Sequence, residues 1–398
     1  MMHLSRFSDI MAKCSSCAFC QATCPVFQAD LTETHMPRAR MQIIRGSLLR
    51  DELPVSGRVR EVVDRCLMCG NCHRTCPAGV PIDSIVACAR HALHPGGSVN
   101  PLVRPFFRSF LENRGHTALA AAALRMGRFA YPKGLPLPAA EPFLKTHRGV
   151  FPARGETRAK VAYFVGCATN SFYPDTALAA LRALTENGVE VTVVPDLSCC
   201  GMPTLAGGDL ALAESLAKKN IAALAALSAD AIVTDCTTCG LVFKKKIPEL
   251  LAEENDDWKQ KAQAVSAKVF EATEYLMNLG LVKAPAPRPV RATYHVPCHR
   301  SWSPGLDDAP RRALARVPEL FLAEMDRPDA CCGAGGAYFT RDPVLSEKIR
   351  EPKIADIENL SVSMIVTQCP MCRSYLAQAF PEKSVVHPVS LLCPADAV

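Results

Sequence analysis

Two short runs of cysteine constrain this chain more than anything else in it. "CSSCAFCQATCP", from Cys14 to Pro25, and "CLMCGNCHRTCP", from Cys66 to Pro77, each place four cysteines at the same 3-3-4 step, with proline after the last. Crowding of that kind means a disulfide framework, a zinc site or an iron–sulfur site. The stretch "MMHLSRFSDIMAK" has no apolar core of a secretory signal. The expected compartment is therefore the reducing cytoplasm, where disulfides do not persist. Zinc needs only four ligands, usually from two separated pairs, and fits two four-cysteine runs poorly. Iron and sulfide fit best.

Three cysteines at C-x-x-C-x-x-C wrap one cubane, because the short turns aim successive sulfurs at a common centre. The fourth, followed by proline, ligates the other cluster in two-cluster ferredoxins. The spacing thus assigns Cys14, Cys17, Cys20 and Cys76 to one [4Fe–4S] cluster. Cys66, Cys69, Cys72 and Cys24 go to the second. Helical patterns around and between the runs, such as "VREVVDRCLMC" and "DSIVACARHAL", favour a helical ferredoxin domain over a compact two-hairpin one.

From residue 159 onward, strands alternate with helices, and the stretch is an internal repeat. The first copy reads "KVAYFVGC", "VEVTVVPDLSCCG" and "ADAIVTDCTTC" at its strands; the second reads "RATYHVPC", "DACCGAGGAYF" and "VSMIVTQCPMC". The cysteines keep pace. Steps of 32, 1, 36 and 3 run from Cys167 through Cys199, Cys200 and Cys236 to Cys239; steps of 33, 1, 37 and 3 run from Cys298 through Cys331, Cys332 and Cys369 to Cys372. Alternating strands and helices imply parallel βαβ units. The expected architecture is α+β and multidomain. A helical two-cluster ferredoxin domain spans 1–95 and a proline-rich linker with a helix spans 96–158. Two pseudo-repeated α/β domains with parallel sheets follow over 159–285 and 286–398.

In a parallel sheet, ligands gather beyond the carboxyl ends of the strands. Cys167, the Cys199–Cys200 pair and the Cys236/Cys239 pair each follow a strand, so five sulfurs converge at one edge, and the second copy repeats this. Gly201 and Gly333 are expected to let the backbone approach a bulky group. The plain alternative is a set of buried free thiols, since cysteine packs well as a small hydrophobe. Two matching copies weigh against it.

The patterns C-x31-C-C-G-x34-C-x-x-C and C-x32-C-C-G-x35-C-x-x-C resemble the cysteine-rich CCG domains of heterodisulfide reductase-type proteins. The resemblance implies one or two non-cubane [4Fe–4S] clusters held by those ten cysteines. A helical two-cluster ferredoxin followed by two CCG domains resembles the iron–sulfur subunit of glycolate oxidase and related lactate dehydrogenases. The anaerobic glycerol-3-phosphate dehydrogenases carry an iron–sulfur subunit of the same plan. "PRARMQIIRG" at 37–46 resembles the Pro-Arg-Gly-Arg stretch of the glycolate oxidase subunits, with Ala39 in place of its glycine. The resemblance implies an electron-transfer subunit without flavin of its own. Its partner would be an FAD-containing hydroxy-acid dehydrogenase subunit, and its acceptor a quinone or another carrier. Location at the inner face of the cytoplasmic membrane, by peripheral contact, is part of the same expectation. The alternative is catalytic: a heterodisulfide reductase-like subunit that cleaves a disulfide. A metal-stabilised scaffold is the non-redox alternative.

Other features carry less. His295 and His299 flank Cys298 and either tune or ligate a cluster, or are packed or solvated side chains; the second reading is favoured. "GAGGA" at 333–337 follows a cysteine pair instead of a strand and is assigned to cluster approach, not to phosphate. Cys88 and Cys393 fall outside every motif and read as structural. "KKK" at 244–246 reads as a solvated helix face, and the net charge of +6 is spread along the chain, so nucleic acid is not an expected partner. No apolar run reaches the roughly 18 residues of a membrane span. The nearest, "TALAAAALRMGRFAYP" at 117–132, is interrupted by Arg125 and Arg128 and reads as a buried or interfacial helix. No flavin fingerprint is present.

Overall fold

Apolar, β-branched runs build two sheets in the computed structural model, which describes residues 2–113, 135–194 and 196–394. The helix expected at 117–132 lies outside the described residues. The first sheet holds β1 (Gly149–Phe151), β2 (Ala159–Phe164), β3 (Val189–Val193), β4 (Ala231–Thr234) and β5 (Val269–Glu271). Their order is β1-β3-β2-β4-β5, with β1 antiparallel to β3 and the rest parallel. The second sheet holds β6 (Val290–Tyr294), β7 (Leu320–Leu322), β8 (Met364–Val366) and β9 (Ser384–Val386) in the order β7-β6-β8-β9, all parallel. The path β3-β2-β4-β5 is thus repeated strand for strand. All four residues of β4 are buried, as expected for strands covered by helices on both faces.

Local signals set the crossovers. Asp209 accepts a hydrogen bond from Leu212 N at the start of the helix Leu210–Ala225, and Asp342 does the same for Leu345 N ahead of Pro343–Glu358. The N-terminal unit is helical, built on Pro37–Leu48, Gly57–Asp64 and Ile82–Leu93.

Packing locks the three units together. Ile85 and Val86 share a core with Ile221 and Phe243. Tyr163 and Val191 of the first sheet share another with Tyr294 and Val366 of the second. Val26 and Leu67 pack on Tyr338, Leu345 and Ile349. The two sheet domains also meet at Trp302, whose indole N–H donates to Thr237 O at 2.8 Å. A Cβ at Gly240 would come within 2.1 Å of that ring, so only glycine fits there.

The lysine run at 244–246 departs from expectation. Only Lys245 is exposed. Lys246 is buried in a π-helical turn, Val242–Lys246, and its ammonium meets Asp83 Oδ2 at 2.6 Å and Ser84 Oγ at 2.7 Å. Consecutive residues of a helical turn point in different directions, so three lysines cannot share one solvated face.

Candidate metal centres

The two N-terminal cysteine loops carry the same backbone irregularity at the same register. Two and four residues after the first cysteine, the backbone is left-handed: Ser16 (φ 58°) and Ala18 (φ 67°) in one loop, Met68 (φ 57°) and Gly70 (φ 72°) in the other. Three of the four are not glycine, a conformation costing about 1–2 kcal/mol each, and strain of this kind collects at functional sites. The turns gather sulfurs. One cavity is lined by Cys14, Cys17, Cys20 and Cys76, with Arg38 and Met41 beside them. Burial raises the Cys20 thiol, and the neighbouring Cys14, Cys17 and Cys76 raise it further. Cys24 lies instead with the other run. Burial pushes Cys69 up to about 12, with Cys24 and Cys66 adding to the effect, and Cys72 is raised by burial and the same neighbours. The fold therefore brings together Cys14, Cys17, Cys20 and Cys76 in one group, and Cys24, Cys66, Cys69 and Cys72 in another. Backbone N–H groups of Met68 and Val80 point at the Cys66 and Cys76 sulfurs, each at 3.4 Å.

Arginines hold these loops. Arg38 donates to Ser16 O at 3.0 Å, while the buried Arg40 donates to Val62 O at 2.8 Å and His35 O at 2.7 Å. Arg90, also buried, donates to the carbonyls of Val63, Asp64 and Cys66, and across to Ala206 O of the first sheet domain at 2.6 Å. Arg90 has a single signal in the sequence, an arginine after the apolar stretch "IVACA" of its helix, and spacing does not mark it as part of a site.

Beyond the carboxyl ends of the strands, each sheet domain brings its five cysteines together. Cys167 opens the helix that follows β2, Cys236 caps the helix Thr237–Leu241 after β4, and Cys199 and Cys200 lie past β3. The Cys167 and Cys199 sulfurs are 3.4 Å apart, and those of Cys332 and Cys372 are 3.1 Å apart. Both distances exceed the roughly 2.05 Å of a disulfide, so these are thiols. In each domain the second member of the adjacent pair has its thiol lowered by its neighbours. The neighbouring Cys199 and Cys239 draw Cys200 down to about 5, and Cys331 and Cys372 hold Cys332 well below the ordinary thiol range. Five crowded sulfurs at each site form a donor set that fits iron, because metal binding replaces the thiol protons. The first site is also kept clear of side chains at Gly166, where a Cβ would lie 3.3 Å from Cys239 Sγ. Gly333 departs from expectation. A Cβ there would meet Ser346 O at 2.5 Å, so it is the following helix that demands glycine at this left-handed position (φ 81°).

A paired polar network lies behind the two C-x-x-C turns. The Tyr163 hydroxyl donates to Asp235, next to Cys236; the Tyr294 hydroxyl donates to Gln368 Oε1, next to Cys369, at 2.7 Å. Gln368 in turn donates across the domain boundary to Glu271 Oε2 at 2.5 Å. Neither Asp235 nor Glu271 was legible as part of a site.

Both histidines beside Cys298 lie against the candidate sites, one packed and one hydrogen-bonded. His299 is half-buried and bridges three units: Nδ1 pairs with Thr238 Oγ1 at 3.0 Å, and Nε2 with Met68 O at 3.0 Å. Thr238 precedes Cys239, Met68 precedes Cys69, and Cys298 precedes His299 itself. Cys69 is close enough to Cys298 and Cys331 to help raise both thiols. His295 is buried, with its ring and the sulfurs of Cys332 and Cys372 within 4.8 Å of one another. Cys88 and Cys393 are buried apart from all four groups, and their thiols donate to Met2 O and Ala179 O.

These observations define an iron–sulfur protein that joins a two-cluster ferredoxin domain to two cysteine-rich sheet domains. The chain matches the 4Fe-4S dicluster domain over residues 10–80 and the cysteine-rich CCG domain over 161–244 and 292–377. It is 29% identical over 389 residues to the glycolate oxidase iron-sulfur subunit of Escherichia coli, covering 93% of this chain and 91% of that one. It is 28% identical over 378 residues to one subunit of the fumarate reductase (CoM/CoB) of Methanothermobacter marburgensis, covering 94% and 68% respectively. It is also 30% identical over 208 residues to lactate utilization protein A of Geobacillus thermodenitrificans, covering 52% and 85%. The chain belongs to the family of iron–sulfur electron-transfer subunits that includes the glycolate oxidase iron–sulfur subunit. Among the described residues, no helix is long and apolar enough to cross a membrane.

Proposed function

We propose that this chain carries electrons from the reduced FAD of a partner flavoprotein, which oxidises glycolate or lactate, to a quinone or another acceptor. The observation that carries this reading is the serial placement of the cysteine groups. Cys17 is exposed at one end, and at the other the Cys69 loop abuts Cys298 and Cys331. The relatives' names supply the substrate class. We assign Cys14, Cys17, Cys20 and Cys76 to one cubane cluster and Cys66, Cys69, Cys72 and Cys24 to the other. The ten CCG cysteines are assigned to non-cubane [4Fe–4S] clusters, and the units to 1–95, 96–158, 159–285 and 286–398. When bound, such clusters supply the one-electron steps between a two-electron flavin and its acceptor. The chain's own residues hold the loops in register through Arg38, Arg90 and His299, and bury the inner sulfurs away from water. With a quinone as acceptor, we assign the protein to the cytoplasm, in peripheral contact with the inner face of the membrane.

In the test, the isolated, cluster-loaded chain neither binds flavin nor oxidises glycolate or lactate. Adding the flavoprotein gives substrate-dependent quinone reduction. Hydroxy-acid oxidation by this chain alone overturns the reading. Similarity to a CoM/CoB-dependent relative over 94% of the chain favours one second reading, cleavage of a disulfide at the CCG sites. Turnover of a thiol-cofactor heterodisulfide by the reduced chain, lost on Cys331→Ser, would establish it.

A further inference from the structure

The two CCG sites repeat their cysteines but not what stands behind them. The residue three before the first cysteine of each set is Phe164 in one copy and His295 in the other. Phe164 packs edge-on against Phe243, with ring centroids 4.6 Å apart, as an ordinary core residue. His295 occupies the same place at the end of β6, is 1% exposed, and has no conventional hydrogen-bond partner for either ring nitrogen among the described residues. Buried polar atoms are nearly always satisfied, and the sulfurs of Cys332 and Cys372 lie within 4.8 Å of this ring. An imidazole carries at least one N–H donor whether neutral or protonated.

A second difference points the same way. Gly201 and Gly333 are equivalent, and so are the helices that follow them; Asn220 of the first helix corresponds to Lys353 of the second. Asn220 donates to Cys199 O and accepts from Ser198 N, an uncharged bracket. The Lys353 ammonium is buried and donates to Arg327 O at 2.5 Å and Met325 Sδ at 3.2 Å, with Cys332 and Cys331 near enough to act on it electrostatically. One site is backed by a phenyl ring and an amide, the other by an imidazole and an ammonium.

We propose that His295 donates a ring N–H hydrogen bond to the Cys332 thiolate, making the second CCG site the stronger electron acceptor of the two. The inference rests on the reading that the CCG cysteines hold iron–sulfur clusters. Hydrogen bonds to cluster sulfurs favour the more negative, reduced form and raise the potential. The second site is also the one beside Cys69, so the better acceptor stands next to the ferredoxin unit.

The test is an anaerobic redox titration of the full chain, followed by electron paramagnetic resonance, in wild type, His295→Phe and His295→Gln. Cys331→Ser identifies the second-site signal by its loss. His295→Phe installs the residue of the first copy and lowers the second-site potential at least tenfold in equilibrium constant, about 59 mV for one electron. The first-site potential stays where it is. His295→Gln keeps an N–H donor and recovers most of the shift. An unchanged potential in His295→Phe overturns the proposal, as does an equal fall at both sites. Loss of second-site iron in both His295 variants also overturns it, since His295 would then be a ligand or a folding element. If wild-type protein holds only about eight irons per chain, enough for two cubanes, and Cys331→Ser removes no signal, the cluster assignment itself fails. That outcome is distinct from an unchanged potential in a fully loaded chain.

Discussion

Replacing Lys246 by methionine tests how the ferredoxin unit is fastened to the first CCG domain. Lys246 Nζ lies 2.6 Å from Asp83 Oδ2, with Ser84 Oγ at 2.7 Å and Glu249 Oε2 at 3.4 Å. The side chains of Lys246 and Asp83 are only 10% and 6% exposed. Both partners respond as an ion pair. Although burial alone would raise the Asp83 carboxyl, Lys246 and His73 hold it well below the usual carboxylate range; the Lys246 ammonium is raised against its own burial by Asp83 and Glu249. A depressed carboxyl stabilises the fold above its unfolded value, about 3.9, and loses that contribution as pH falls. A raised ammonium stabilises below about 10.4 and loses its contribution as pH rises. At pH 7 both contributions are complete. Removing the ammonium strands a buried carboxylate, which costs about 3–5 kcal/mol. Asp83→Asn combined with Lys246→Met removes both charges and should recover at least about 2 kcal/mol of that loss, because the expense lies in the unpaired charge. Anaerobic urea unfolding at pH 7, followed by the fluorescence of Trp258 and Trp302, measures both variants against wild type. A cost below about 1 kcal/mol for Lys246→Met refutes the reasoning, as does a double variant no better than that single one.

Cys76→Ala should remove about four irons per chain and the resonance of the cluster assigned to Cys14, Cys17 and Cys20, sparing the Cys66 group. Metal analysis with spectroscopy checks this, and loss of the Cys66 cluster alone would show that the last cysteines are not exchanged. Burial pushes Lys353 down to about 8, against about 10.4 in an unfolded chain. The unfolded state then binds more protons between those values, so stability rises with pH across that interval by an amount of order 3 kcal/mol. Urea unfolding at about pH 8 and pH 10 should show the rise in wild type and its absence in Lys353→Met.

The candidate ligands of this protein were legible because a cluster would impose its geometry on a few neighbouring residues. The 3-3-4 step reappears as paired left-handed residues at Ser16, Ala18, Met68 and Gly70, and the CCG spacing reappears as two sheets with one strand order. What the sequence hid are the contacts that join the sites. Lys246 stands in a run that looks like solvated charge, and it is turned inward by Asp83 and Ser84, on a helix far earlier in the chain. Arg90 follows an apolar stretch of the same helix and reaches carbonyls on two domains. His299 looks like an ordinary neighbour of a ligand until Thr238 and Met68 arrive from elsewhere. Such partners have no spacing to read, since nothing local fixes them. The same logic explains why the repeat was visible and its asymmetry was not. Shared ligand chemistry keeps the cysteines in step, whereas Phe164 and His295 each satisfy the same strand pattern. A strand position tolerates either side chain, so only the sulfurs in front of it distinguish a core residue from a donor.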